Sequence, residues 1–167
     1  TGTPMGGTWS GDGITNATNG TFNPATAGVG LHTITYAYTD GNNCENSDEL
    51  VVNVSGLPTV NAQGNETYCD VNYDIQLNVA TPVGGTWSGL GALYNNQGFF
   101  NVDSAGGLGT HILYYNYIDA NGCENLDSSE ITVVTNLVAS AGNPDTICIN
   151  NGVYTLNNFS PSGGTWT

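Results

Sequence analysis

The sequence predicts an all-β fold built from tandem antiparallel β-sandwich modules, and three observations carry that prediction. The string Gly-Gly-Thr-Trp stands at Gly6–Trp9, Gly84–Trp87 and Gly163–Trp166, a period of 78–79 residues. Apolar side chains alternate with polar ones at the two-residue period of a half-buried strand. Gly, Asn, Asp, Thr and Pro interrupt the chain every 8 to 12 residues or so, the turn spacing of a sandwich.

The fuller copies share their landmarks in order: Gly-Gly-Thr-Trp-Ser-Gly, then Phe22-Asn23 and Phe100-Asn101, then His32 and His111, then Asp40-Gly-Asn-Asn-Cys44-Glu-Asn and Asp119-Ala-Asn-Gly-Cys123-Glu-Asn. A residue that recurs with every copy is most simply explained by the fold of one module. The phase divides the chain into the latter part of one module at 1–56, a complete module at 57–135 and the opening of a third at 136–167, a window on a longer array. In the complete module, strands are expected near 58–63, 66–69, 73–79, 84–88, 98–102, 110–119 and 127–134. Ile75, Leu77 and Val79 alternate with Asp74, Gln76 and Asn78; His111, Leu113, Tyr115 and Tyr117 repeat the pattern, as do His32, Ile34, Tyr36 and Tyr38 one period earlier. Leu50, Val52 and Val54 make another such run, and no stretch keeps helical spacing over three turns. A unit of this length buries a modest core.

Composition removes several function classes. The chain has no Lys and no Arg against 14 Asp and Glu, a formal net charge of −14. Phosphate backbones and anionic membrane surfaces are bound mainly through Lys and Arg, so neither is an expected partner. No Lys or Arg ion pair supports the fold, which rests on apolar burial and backbone hydrogen bonds, with disulfides or bound cations as further candidates. With 38% hydrophobic residues, 9 Tyr, 3 Trp and 4 Phe, the chain has the means to build a core and does not read as disordered. No apolar run approaches the roughly 18 residues of a membrane span.

Val60-Asn-Ala, Thr67-Tyr-Cys69, the Gly-Gly-Thr-Trp-Ser-Gly strand, Phe22-Asn-Pro-Ala-Thr-Ala-Gly28 and the ending Tyr-x-Tyr-x-Asp-x-Asn-Gly-Cys123 resemble the immunoglobulin-like and PKD-like repeats of very large surface proteins of the Bacteroidota. The resemblance covers the whole chain. It implies export, commonly by the type IX secretion route, to the bacterial cell surface, and service in an adhesin, a gliding-motility filament or a prey-grasping appendage. The total absence of Lys and Arg departs from the usual pattern of such repeats.

The cysteines suit an exported module, since Cys44 and Cys123 stand one period apart, as do Cys69 and Cys148. A Cys69–Cys123 bond lets each copy fold alone and leaves Cys44 and Cys148 to partners outside the fragment. It closes a loop of about 55 residues, worth roughly 4 kcal/mol in the chain-entropy model. The rival connectivity joins Cys44 to Cys69 and Cys123 to Cys148, each across 25 residues. A simple sandwich would hold Cys69 and Cys123 at opposite poles, which weighs against the first arrangement; the bond within the module is still the one expected, because it lets each copy fold alone. Zinc finds no Cys-x-x-Cys and no paired His.

Trp9, Trp87 and Trp166 read as core residues of an inner strand, with sugar stacking as the weaker alternative because no second aromatic recurs beside them. His32 and His111 open alternating strands and read as hydrogen-bonding residues. No nucleophile recurs beside them, so no enzyme activity is expected. Asp103-Ser104-Ala105 and Asp145-Thr146-Ile147 resemble the Asp-Ser/Thr-aliphatic O-glycosylation acceptor of exported Bacteroidota proteins, against chance in a sequence rich in these residues. Asn16-Ala-Thr and Asn65-Glu-Thr are expected to be unmodified.

No cofactor is expected, with calcium as the one candidate cation. Asp40, Asn42 and Glu45 recur as Asp119, Asn121 and Glu124, and put oxygens two residues apart with a carboxylate three beyond. Calcium takes six to eight oxygens, and this turn offers about three. A tight hairpin in which Asp accepts local N–H bonds is the stronger reading.

The function expected is that of a semi-rigid acidic spacer in an extracellular adhesin or filament, whose partners are the neighbouring modules of the same chain. Two alternatives stay open. One is a ligand-binding module gripping a glycan or cell-surface partner through the variable loops Asn16–Gly20 and Tyr94–Gly98. The other is a homo-oligomeric fibre assembling laterally through faces such as Ile112, Tyr114 and Ile118, against the repulsion of uniform negative charge.

Overall fold

A computed structural model describes residues 2–94 and 96–165. The chain is all-β, with twelve strands among the described residues: β1 (Thr8–Ser10), β2 (Ile14–Asn16), β3 (Thr21–Phe22), β4 (Gly30–Thr39), β5 (Glu45–Val54), β6 (Glu66–Cys69), β7 (Ile75–Gln76), β8 (Thr86–Ser88), β9 (Ala92–Leu93), β10 (Phe99–Phe100), β11 (Gly109–Ile118) and β12 (Glu124–Val134). Two single helical turns, α1 (Pro24–Ala27) and α2 (Val102–Ala105), precede the long strands β4 and β11. The chain divides into two compact units, Thr1–Asn61 with Asn116–Leu126, and Ala62–Tyr115 with Asp127–Thr167.

In the first unit β4 is flanked by β1 and β5, and β2 pairs with β3. The β4–β5 pairing is antiparallel from Gly30↔Val54 to Thr39↔Glu45. On β4 the period-2 pattern puts Ile34 and Tyr36 inside. Leu50, opposite the buried Ile34 on the edge strand β5, is 43% exposed.

In the second unit a four-stranded sheet runs β6-β12-β11-β8 and a three-stranded one β7-β10-β9. Both sheets feed the core: Ile75, Phe100, Trp87, Leu113, Tyr115, Ile131 and Val133 are all buried. Phe100, Leu113 and Ile131 are fully enclosed, and each such side chain contributes about 1.5–3 kcal/mol.

Three expectations need correction. First, β6 pairs with β12 in parallel, Glu66↔Ile131 through Cys69↔Val134, so the four-stranded sheet is not purely antiparallel. Second, 58–63 is not a strand; side chains of β12 satisfy the backbone at and just beyond its end, Asp127 Oδ2 accepting from Ala62 N at 2.9 Å and Ser129 Oγ donating to Gly64 O at 3.1 Å. Third, the expected strand over 98–102 stops at Phe100, because the Asn101 side chain caps α2 by accepting from Ser104 N at 2.8 Å. Asn23 caps α1 by accepting from Ala25 N at 2.9 Å. One helical turn is too short to leave a periodic signature in sequence.

Candidate functional sites

Equivalent residues of the two copies make the same contacts. The buried Tyr115 hydroxyl accepts from Gly85 N at 2.6 Å and donates to Pro82 O at 2.7 Å. Tyr36 does the same one period earlier, accepting from Gly7 N at 2.8 Å and donating to Pro4 O. Both prolines follow a cis peptide bond, as does Pro161. Beside each tyrosine lies the motif tryptophan, with ring centroids 4.8 Å apart for Trp9–Tyr36 and 5.1 Å for Trp87–Tyr115. Trp87 is 4% exposed and Trp9 half-buried, while Trp166 lies outside the described residues. Glycine backs each indole because the space is filled: a Cβ at Gly98 would lie 2.8 Å from Trp87 Nε1, and one at Gly20 2.7 Å from Trp9 Nε1.

The histidines are spent in the same way. His32 Nε2 donates to Gly28 O and His111 Nε2 to Gly107 O, each at 2.8 Å, tying the start of the long strand to the residues after the helical turn. Each ring rests against the phenylalanine of its copy, Phe22 or Phe100.

The candidate calcium turns are closed by their own backbone. Asp40 Oδ1 accepts from Asn42 N at 2.8 Å and Cys44 N at 2.9 Å, and Asp119 Oδ1 accepts from Asn121 N and Cys123 N, both at 2.8 Å. The Cys44 N–H foremost, then that of Asn42, holds the Asp40 carboxyl below its ordinary value of 3.8. The third residue of the loop takes a positive φ, 63° at Asn43 and 80° at Gly122. Glu124 is turned away onto the strand, where its Oε1 accepts from Asn116 Nδ2 at 2.7 Å. Glu45 opens β5 opposite Thr39. Among the described residues no group of three or more His, Cys, Asp or Glu is placed to hold a metal ion.

All four cysteines are free thiols; Cys44, Cys69 and Cys148 are exposed and Cys123 is half-buried. The expected Cys69–Cys123 bond is not formed, and the strand register gives the reason. Cys69 stands opposite Val134 at the end of β12, whereas Cys123 immediately precedes its start. The length of β12 separates them by about 36 Å at 3.3 Å per residue. Cα atoms joined by a disulfide lie about 4.4–6.8 Å apart.

The glycosylation candidates are exposed, Ser104 on α2 and Thr146 next to Asp145, whose carboxylate accepts from the Thr146 N–H and the Tyr154 hydroxyl. The variable loops differ in character. Asn16–Gly20 is folded on itself, Asn16 Oδ1 accepting from both Thr18 N and Asn19 N at 3.0 Å. In the other loop Tyr94 is 60% exposed and set edge-on to Phe99. The groove between that loop and Trp87, lined also by Gln76, Asn78 and Gln97, encloses about 150 Å³. Ligand sites commonly hold about 300–1,000 Å³. Ile112, Tyr114 and Ile118 lie on the exposed face of β11, as alternation requires.

Asp127, Ser129 and Asn65 bind the 62–65 segment to β12, a role that their local sequence barely marks. The one signal available was a run of polar residues, Asp127-Ser-Ser-Glu130, where an apolar strand was expected to begin.

No helix among the described residues is long and apolar enough to cross a membrane. No protein-family model matches the chain, and no curated protein is significantly similar to it.

Proposed function

We propose that the chain is a piece of a structural array: immunoglobulin-like repeats forming an acidic, semi-rigid spacer in an adhesin or filament displayed on a bacterial surface, without enzyme activity. One observation carries the reading. Four recurring pairs of polar residues hydrogen-bond to the backbone of their own copy: Tyr36 and Tyr115, His32 and His111, Asp40 and Asp119, Asn23 and Asn101. A catalytic or ligand site needs polar groups left over for a substrate. Further support comes from the charge of −14 without any cation, which keeps exported copies soluble and apart. The resemblance to Bacteroidota surface repeats supports the location and the export route.

The second reading, a ligand-binding module, is favoured by the exposed Tyr94, which opens the loop whose Gln97 and Gly98 line the Trp87 groove. A glycan array and binding to intact cells separate the two. A spacer gives signal no higher than a denatured control; saturable binding abolished by Tyr94→Ala installs the binding reading instead.

A further inference from the structure

In the second unit the segment that enters the fold and the strand that leaves it run side by side in the same direction. The links are ordered along both: Ala62 N to Asp127 Oδ2, Gly64 O to Ser129 Oγ, Asn65 Oδ1 to Glu130 N, then the parallel register Glu66↔Ile131, Thr67↔Thr132, Tyr68↔Val133 and Cys69↔Val134, closed by Asp70 N to Val134 O at 2.8 Å. Every step along 62–70 is matched by a step in the same sense along 127–134.

In a tandem array under tension, the pull on a repeat enters before residue 62 and leaves after Val134. The entering segment is drawn toward its Ala62 end and β12 toward its Val134 end. In parallel strands those two ends lie at opposite ends of the shared ladder. The applied force therefore slides the strands past each other along their length, and the whole row of bonds bears it together. In an antiparallel pair pulled at neighbouring ends, force falls on one bond at a time and the pair peels open. The inter-strand bonds of a parallel ladder are evenly spaced, so no wide gap offers a starting point for shear.

We infer that the pairing of residues 62–70 with β12 is a mechanical clamp, which lets each repeat resist extension along the array. This rests on the spacer reading, since only a chain under end-to-end tension uses such a device. Side chains extend the clamp beyond β6: Asp127 and Ser129 grip the backbone of 62–64 where no regular ladder forms. Ser129 is 1% exposed, so its side chain is held inside the fold where it meets Gly64.

The test is direction-dependent single-molecule stretching of the full chain, with the four native cysteines replaced by serine and handles attached through paired cysteines. Handles at Leu57→Cys and Asn136→Cys load the ladder in shear; handles at Asp70→Cys and Asn136→Cys load its Cys69/Val134 end and unzip it. The expected rupture force is at least about twofold higher for the first pair, because forced unfolding is governed by the barrier along the pulled direction. Asp127→Ala with Ser129→Ala should lower the shear force and leave the unzipping force unchanged. Equal forces in the two directions overturn the clamp, and so does an equal drop in both for the double variant. Either result leaves the spacer reading standing, since that is decided by ligand binding. The two handle placements alone decide the matter if the double variant does not fold.

Discussion

The Tyr115 hydroxyl accepts a hydrogen bond from the Gly85 backbone N–H at 2.6 Å, and so joins the long strand β11 to the turn that leads into the tryptophan strand β8. The same oxygen donates to Pro82 O; the bond from Gly85 is buried and that to Pro82 half-buried. Tyr115→Phe keeps the ring and its contact with Trp87 but leaves a buried N–H and a carbonyl without their partner. The expected loss is about 1–3 kcal/mol. Urea unfolding followed by Trp fluorescence measures it. An unchanged midpoint would mean that water replaces the hydroxyl.

Gly98 and Gly106 form a matched pair for testing how tightly the indole is packed. Both have positive φ, 68° and 103°, but a Cβ at Gly98 meets Trp87 Nε1 at 2.8 Å whereas one at Gly106 meets nothing within 4 Å. Gly106→Ala should cost the backbone term alone, roughly 1–2 kcal/mol. Gly98→Ala adds an overpacking term of about 1–3 kcal/mol. Thermal unfolding of the two variants should rank Gly98→Ala clearly below Gly106→Ala.

Asp40 and Asp119 are turn residues, which fixes the response to calcium and to acid. Asp119→Ala strips the acceptor from two backbone N–H groups and should cost about 1 kcal/mol. Calcium or chelator should leave the melting curves of wild type and Asp119→Ala each unchanged. A calcium-dependent rise that disappears with Asp119→Ala and Glu124→Ala would restore the metal site. The Asp40 carboxyl titrates below its ordinary value of 3.8 in the folded chain, so its contribution is complete above 3.8 and fades as the pH falls through the lowered folded value. Asp40→Asn should therefore reduce stability at neutral pH and make little difference well below 3.8, measured by urea midpoint at each pH.

The free thiols predict a graded reaction. Cys44, Cys69 and Cys148 are exposed and should react promptly with a maleimide under native conditions, while half-buried Cys123 reacts more slowly. Peptide mapping without reductant should recover four unlinked cysteines. A linked Cys69–Cys123 peptide would contradict the register of β6 on β12.

How much of this was legible in the sequence follows from the range of each signal. Period-2 alternation located β11 and placed Leu113 and Tyr115 inside and Ile112 and Tyr114 outside, because side-chain direction along one strand is a local property. The turn role of Asp119 was legible for the same reason, since its partners lie two and four residues on. The direction in which β6 joins β12 was not legible: 65 residues separate Glu66 from Ile131, and a four-residue strand carries no mark of parallel or antiparallel pairing. The Cys69–Cys123 expectation failed because the parallel register sets Cys69 at the far end of β12 from Cys123, the separation that a simple sandwich already implies. The partner of Tyr115 was hidden as well, since a Tyr in an alternating strand looks the same whether its hydroxyl is buried on Gly85 or exposed.

The most direct measurement of the central claim, a self-contained repeat whose recurring residues serve its own fold, is the unfolding of residues 57–135 alone. The expected result is one cooperative urea transition, with Trp87 fluorescence and far-ultraviolet circular dichroism coinciding. A segment that unfolds without cooperativity, or that buries Trp87 only when 1–56 or 136–167 is attached, would contradict it.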